Sequence, residues 1–248
     1  MLKLTHVSPC LFRIGSKMSQ GKVSPPLVLV NFKCYLEATG DRAVQLAKHA
    51  EQVSKKFGVT VAVAPQAADL RLVSQQTKIP IFAQHIDPIR PGSGTGHVLA
   101  ESVLEAGASG ILINHSERRL EAGIIEDTIA RARALKLTTV VCANTSAIAA
   151  AVASLGPDMI AVEPPELIGS GIAVSKAKPE IITETVSRIR RINNDVVILC
   201  GAGITSGEDV REALRLGTQG VLVASGVVKA KNQAAAIEDL AGACRRVE

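Results

Sequence analysis

The stretch Met159-Ile-Ala-Val-Glu-Pro-Pro-Glu-Leu-Ile-Gly-Ser-Gly-Ile-Ala-Val-Ser175 decides how the rest of the chain is read. Met159–Val162 is an apolar run of buried-strand length, and it ends in a carboxylate, two prolines and Gly169-Ser-Gly171. The prolines fix φ and bar a helix from starting there, so Glu163 should stand at the rim of the sheet that owns the strand. Gly169 and Gly171 let an anion approach bare backbone N–H groups. One loop therefore pairs a candidate general base with a candidate anion cradle. The bland alternatives are a solvated rim glutamate and a flexible loop, and the other strand ends have to decide between the readings.

Working outward, one unit recurs from Leu27: a short Val/Ile/Leu run, a small-residue loop, then a segment of helical periodicity. Strands are expected at Leu27–Phe32, Val59–Val63, Ile81–Ala83, Gly110–Ile113, Thr138–Cys142, Met159–Val162, Val196–Cys200 and Gly220–Val223. Helices are expected at Asp41–Phe57, Pro65–Gln75, Val98–Ala106, Arg118–Leu135, Thr145–Ser154, Pro179–Ile192, Gly207–Leu216 and Gln233–Arg245. Eight such units with strands apolar on both faces predict an α/β fold, a single closed (β/α)8 barrel of the TIM type. The competitor is an open doubly wound sheet. It would put Gly-x-Gly-x-x-Gly after the first strand, where this chain has Asn31-Phe-Lys33-Cys-Tyr.

Nothing after residue 26 looks like a linker, so residues 25–248 are expected to form one catalytic barrel. Residues 1–24 carry Lys3, Arg13, Lys17 and Lys22 with no acid, which leaves 24 basic and 23 acidic residues for the body. The net charge of +5 thus sits mostly in a loose basic extension, and the nearly neutral body needs no polyanionic partner. That segment lacks the continuous apolar core of a secretory signal, and Met18 offers an alternative start. Aromatic residues at 2% argue against single-stranded nucleic-acid binding by stacking and against an aromatic sugar platform. No apolar run reaches membrane-span length. Cys10, Cys34, Cys142, Cys200 and Cys244 form no C-x-x-C, which disfavours a disulfide framework or a zinc site and suits a reducing cytoplasm. His85, Asp87 and His97 are too loosely spaced to be read as metal ligands, so neither metal nor cofactor is expected.

In such a barrel the loops after the strands share one face, and residues distant in sequence converge there. The first strand ends in Asn31-Phe-Lys33 and the fourth in Asn114-His-Ser-Glu-Arg-Arg119. The sixth ends in Glu163, and the seventh and eighth in Gly201-Ala-Gly203 and Ala224-Ser-Gly226. A surface lysine, a capping histidine and turn glycines would each be ordinary alone; together on one rim they are not.

These motifs resemble the triosephosphate isomerase family over the span from Leu27 to the C-terminus. Asn31-Phe-Lys33 is similar to the family's Asn-aromatic-Lys, and His115-Ser-Glu-Arg118 to its His-Ser-Glu-Arg. Glu163-Pro followed by Ile168-Gly-Ser-Gly171 is similar to its base-and-lid segment, and the Glu-Pro-Pro-Glu and Gly-Ala-Gly-Ile wordings look like archaeal members. The resemblance implies Lys33, His115 and Glu163 as catalytic groups supported by Asn31 and Glu117. It also implies a phosphate site at Gly169, Ser170, Gly203, Ala224 and Ser225. Ser170 stands where the family usually has Thr, Gly203 where many members have Ser, Ala224-Ser225 for a Gly-Gly pair, and Glu166 for an apolar or aromatic lid residue.

What is implied is aldose–ketose isomerisation of a phosphorylated triose through an enediolate, without cofactor, with the segment from Pro164 to about Lys176 closing as a lid. The family's known pattern of a neutral imidazole at a helix N-terminus carries over if the helix starts at Ser116 behind His115. The long third loop, Asp87–Gly96, is implied to pack against a second subunit, in a tetramer rather than a dimer. Two rivals remain at this point: another phosphate-binding barrel isomerase or lyase, and a non-catalytic sugar-phosphate binder.

Overall fold

The computed structural model describes residues 23–163 and 178–245 of the 248-residue chain. Strands and helices alternate: β1 (Leu27–Asn31), α1 (Asp41–Phe57), β2 (Thr60–Ala64), α2 (Leu70–Gln76), β3 (Phe82–Ala83), α3 (Ala100–Glu105), β4 (Gly110–Ile113), α4 (Ala122–Ala134). They continue as β5 (Thr138–Ala143), α5 (Ser146–Ala153), β6 (Met159–Val162), α6 (Pro179–Arg190), β7 (Val197–Cys200), α7 (Gly207–Arg215), β8 (Gly220–Val223), a one-turn α8 (Ser225–Val228) and α9 (Gln233–Ala243).

The eight strands run parallel in the order β2-β1-β8-β7-β6-β5-β4-β3. The two ends of that order meet: Val63 bridges Ile81, and its N–H donates to the Pro80 carbonyl at 3.2 Å. The sheet therefore closes on itself, as the eight-unit pattern predicts.

Strand alternation divides the core in two. Leu27, Leu29, Ala62, Ala64, Phe82, Leu112, Cys142, Met159, Ala161, Leu199 and Leu222 belong to a cluster built from strand residues, the filling of the barrel. Their neighbours Val28, Val30, Val61, Ile111, Val141, Ile160 and Val221 pack with helix residues such as Leu46, Ile129 and Ile182 in the outer layer. Period two thus sets which side chains face the barrel axis. At and just past the strand ends, the inward parity reaches Asn31, Asn114, Glu163 and Gly201.

The helices follow their apolar spacing. In α1, Ala43, Leu46, Ala47, Ala50 and Val53 are buried at intervals of three and four, Asp41 sits in the first turn and Lys55 and Lys56 in the last, matching the helix dipole. Gly58 ends it at φ 65, its N–H donating to Ser54 O at 3.0 Å. Truncating Leu46 to Ala would cost about 2–5 kcal/mol.

Three expected helix starts shift by two residues or more. The segment after Pro65 becomes helical only at Leu70, the helix after the third loop begins at Ala100, and that after β4 begins at Ala122 rather than Arg118. The last shift has a local cause. The Asn114 side chain accepts the Leu120 N–H at 2.9 Å and the His115 carbonyl accepts the Arg118 N–H at 2.8 Å, tying residues 114–120 into a turn. The α8 turn was not anticipated.

Candidate active site

Asn31 ends β1 with its side chain on the inward face, and its Oδ1 accepts the Lys33 backbone N–H at 2.9 Å. This Asx link suits the left-handed conformation of Lys33, whose φ is 47. A third residue completes the brace: Gln84 Nε2 donates to Lys33 O at 2.9 Å and to Ala64 O at 3.0 Å, and approaches Asn31 Oδ1 at 3.4 Å. So held, the Lys33 ammonium meets Glu117 Oε1 at 2.8 Å. Gln84 was missed by the sequence reading; its parity with Phe82, two residues earlier at the end of β3, was the available signal.

On the β4 side, Asn114 is also left-handed, at φ 58, a conformation asparagine tolerates. Its Nδ2 donates to Cys142 O at 3.0 Å, fastening the turn to β5. That turn sends the next side chain, His115, across the barrel mouth. The Glu117 N–H donates to His115 Nδ1 at 3.2 Å, and because a backbone N–H only donates, Nδ1 accepts and the proton of the neutral ring belongs on Nε2.

His115 titrates at about 4, down from 6.5, because burial disfavours the imidazolium and Lys33 repels it; Glu117 pulls upward and is outweighed. The expected helix-end explanation is therefore replaced. After β4 no helix starts before Ala122, and Ser116 Oγ is buried without a hydrogen-bond partner among the described residues instead of capping anything.

Glu163 follows β6 on the inward parity, its N–H donating to Ala143 O at 2.8 Å, with only 3% of the residue exposed. Burial pushes its carboxyl up to about 7 from 4.5, while a hydrogen bond from the Cys142 thiol and the nearby Lys33 charge oppose that rise. Oε1 lies 3.6 Å from His115 Nε2, and Oε2 is buried with no hydrogen-bond partner among the described residues. A carboxylate close to neutral pKa with one unoccupied oxygen is suited to accept a proton from carbon.

Asn31, Lys33, His115, Glu163, Gly203, Ala224 and Ser225 all line one cavity at the mouth of the barrel. Glu117 reaches it through Lys33. On the β7 and β8 side of the same cavity, Gly203 takes φ 71 and Ala224-Ser225 lead into α8, where backbone N–H groups of small residues line the cavity. Gly169 and Ser170, and the whole segment expected to act as a lid, lie outside the described residues. His85, Asp87 and His97 do not converge on a metal site: Asp87 accepts the Val98 N–H at 2.7 Å and pairs with His85 Nε2 at 3.0 Å, clasping the neck of the third loop. Among the described residues no group of three His, Cys, Asp or Glu side chains gathers as metal ligands would.

Against this geometry stand the comparisons with known proteins. The family model for triosephosphate isomerase matches residues 26–240. The triosephosphate isomerase of Methanothermus fervidus is 54% identical over 215 residues, covering 87% of this chain and 97% of that protein. That of Methanocaldococcus jannaschii is 54% identical over 214 residues, 86% and 98% of the two chains. The Methanobrevibacter smithii protein of the same name is 47% identical over 218 residues, 88% and 98%.

Proposed function

Since the chain belongs to the triosephosphate isomerase family, we propose that Glu163 is the base of its reaction and that Lys33 and His115 are the electrophiles. The reaction interconverts dihydroxyacetone phosphate and glyceraldehyde 3-phosphate, a step of glycolysis and gluconeogenesis. Glu163 removes a proton from the carbon beside the carbonyl, and the C–H electron pair moves to form an enediolate. His115 Nε2–H and the Lys33 ammonium donate to the oxygens where charge develops. The hydroxyl proton passes from the oxygen of the first carbon to that of the second, and the protonated Glu163 delivers its proton to the second carbon, so that the first carbon becomes the carbonyl and the isomerisation is complete with no net redox change.

The magnitudes are adequate. A positioned base supplies about 10²–10⁴ in rate, and each preorganised donor is worth on the order of 3 kcal/mol in a water-poor site. The phosphoryl group is read as lying against the backbone wall at Gly203, Ala224 and Ser225, completed by Gly169 and Ser170, with Asn31 and Glu117 holding the Lys33 charge in place.

The observation that carries the assignment is the buried Oε2 of Glu163, without a hydrogen-bond partner among the described residues, in the same cavity as Lys33 and His115. A coupled assay with dihydroxyacetone phosphate tests it: wild type turns over and Glu163→Gln loses at least about 10³-fold in kcat. A Glu163→Gln enzyme within tenfold of wild type would remove Glu163 from the role of base.

The same reading makes residues 25–248 one catalytic unit in a cytoplasmic homo-oligomer, a tetramer in preference to a dimer. Light scattering on the purified full chain decides the assembly. Among the described residues no helix is long and apolar enough to cross a membrane.

A further inference from the structure

We infer that Gly201 is a positioning residue for the base: the missing side chain at 201 reserves the volume that the Glu163 carboxylate arm occupies. The inference rests on the assignment of Glu163 as base. Gly201 directly follows β7 as Glu163 directly follows β6, and the register pairs Val162 with Cys200. The Gly201 N–H donates to Val162 O at 2.9 Å, so the two residues leave neighbouring strands side by side. Both stand on the inward parity, Glu163 after Met159 and Ala161, Gly201 after Leu199.

A Cβ added to Gly201 would lie 2.6 Å from Glu163 Cγ and 3.2 Å from its Oε1. Non-bonded carbons pack at about 3.5–4.0 Å, so the methyl group and the carboxylate arm cannot share this space. The backbone sets no such demand. Gly201 is absent from the glycines with positive φ, in contrast to Gly203 two residues on at φ 71. An alanine at 201 therefore meets its main obstacle in Glu163 itself, with the Val162 carbonyl at 3.3 Å a lesser one. The arm has little room to yield, because Glu163 is buried over Cys142 and beside His115.

Gly201→Ala should move the carboxylate by about an ångström from its working position, a displacement on the scale that costs about 10²-fold in rate. The loss should fall on kcat, with KM within about threefold, because the phosphate wall is untouched. The acid limb of kcat/KM should move to lower pH as the carboxylate is driven toward solvent.

The deciding experiment is a double-mutant cycle on thermal stability run beside these kinetics. Gly201→Ala should lower the unfolding midpoint of wild type but not that of Glu163→Ala, in which no Cγ remains to be struck. An equal drop in both backgrounds, or a Gly201→Ala kcat within about twofold of wild type, overturns the inference. If Gly201→Ala alone fails to fold, the pair still decides: a folded Glu163→Ala/Gly201→Ala protein supports the steric conflict and an unfolded one refutes it. Glu163→Gln, assayed in parallel, separates the two readings. Should it keep activity, the base assignment fails; should it be inactive while Gly201→Ala is not, only the role of Gly201 fails.

Discussion

His115 Nε2 lies 3.6 Å from Glu163 Oε1, and the two groups have exchanged their ordinary order of acidity. The imidazole titrates at about 4 and the carboxyl at about 7. Burial drives both shifts, since it favours the neutral form of each. Between those values neither group carries its charge: the ring donates from Nε2, and the carboxyl, the proposed base, becomes free to accept a proton as pH rises through about 7.

The rate should therefore follow the carboxyl. As pH falls through about 7 the free enzyme loses its base, so kcat/KM should decline with an acid limb near that value. His115 should add no second limb until pH approaches about 4. A pH profile of kcat/KM checks both, and an acid limb near 4.5, the value of an unburied glutamate, would contradict the buried-base account.

Stability should show the same pair from the other side. The carboxyl is raised from 4.5 to about 7, so its contribution is complete below 4.5 and is lost as pH rises to 7. The imidazole is lowered from 6.5 to about 4, so its contribution is complete above 6.5 and is lost as pH falls toward 4. Across pH 4.5–6.5 the two slopes oppose and largely cancel. Glu163→Gln removes one of them, and its stability relative to wild type should climb from pH 4.5 to 7 by on the order of 2–3 kcal/mol, read from urea midpoints. Parallel curves for the two proteins would refute the coupling.

Gln84 should matter to the rate although it is not proposed to touch substrate. Gln84→Leu leaves the Lys33 and Ala64 carbonyls without their donor, at about 1–3 kcal/mol of stability. It also loosens the left-handed turn that aims the Lys33 ammonium. A loss of about tenfold in kcat/KM is expected, with the thermal midpoint lowered. Wild-type kinetics in this variant would show that Asn31 alone holds the turn.

Cys142 fills the barrel beneath the base, and burial holds its thiol well above the usual range, so it remains a donor to Glu163. Cys142→Ala removes that bond, which at present lowers the Glu163 pKa. The acid limb should move to higher pH, with a cavity cost of about 1–3 kcal/mol. A limb shifted downward would mean that water enters the vacated space.

Much of the site was legible because it hangs on strand periodicity. The apolar runs give the parity of each strand, and the same alternation carries Asn31 and Glu163 to the barrel axis at the strand ends. His115 was legible only as a motif. It lies one residue off the inward parity of β4, and the left-handed turn at Asn114 that redirects it is set by bonds to Leu120 and Cys142. The same bonds explain why α4 starts later than its helical pattern suggested.

From the order of residues alone came the barrel and the placement of most strands, which depend on hydrophobic spacing along the chain, and the rim expected to gather Lys33, His115 and Glu163, which rested on their motifs at strand ends. The acidities of His115 and Glu163, the brace at Gln84 and the vacancy beside Gly201 were decided only in three dimensions. Burial, through-space charge and steric exclusion act between residues that no local spacing relates.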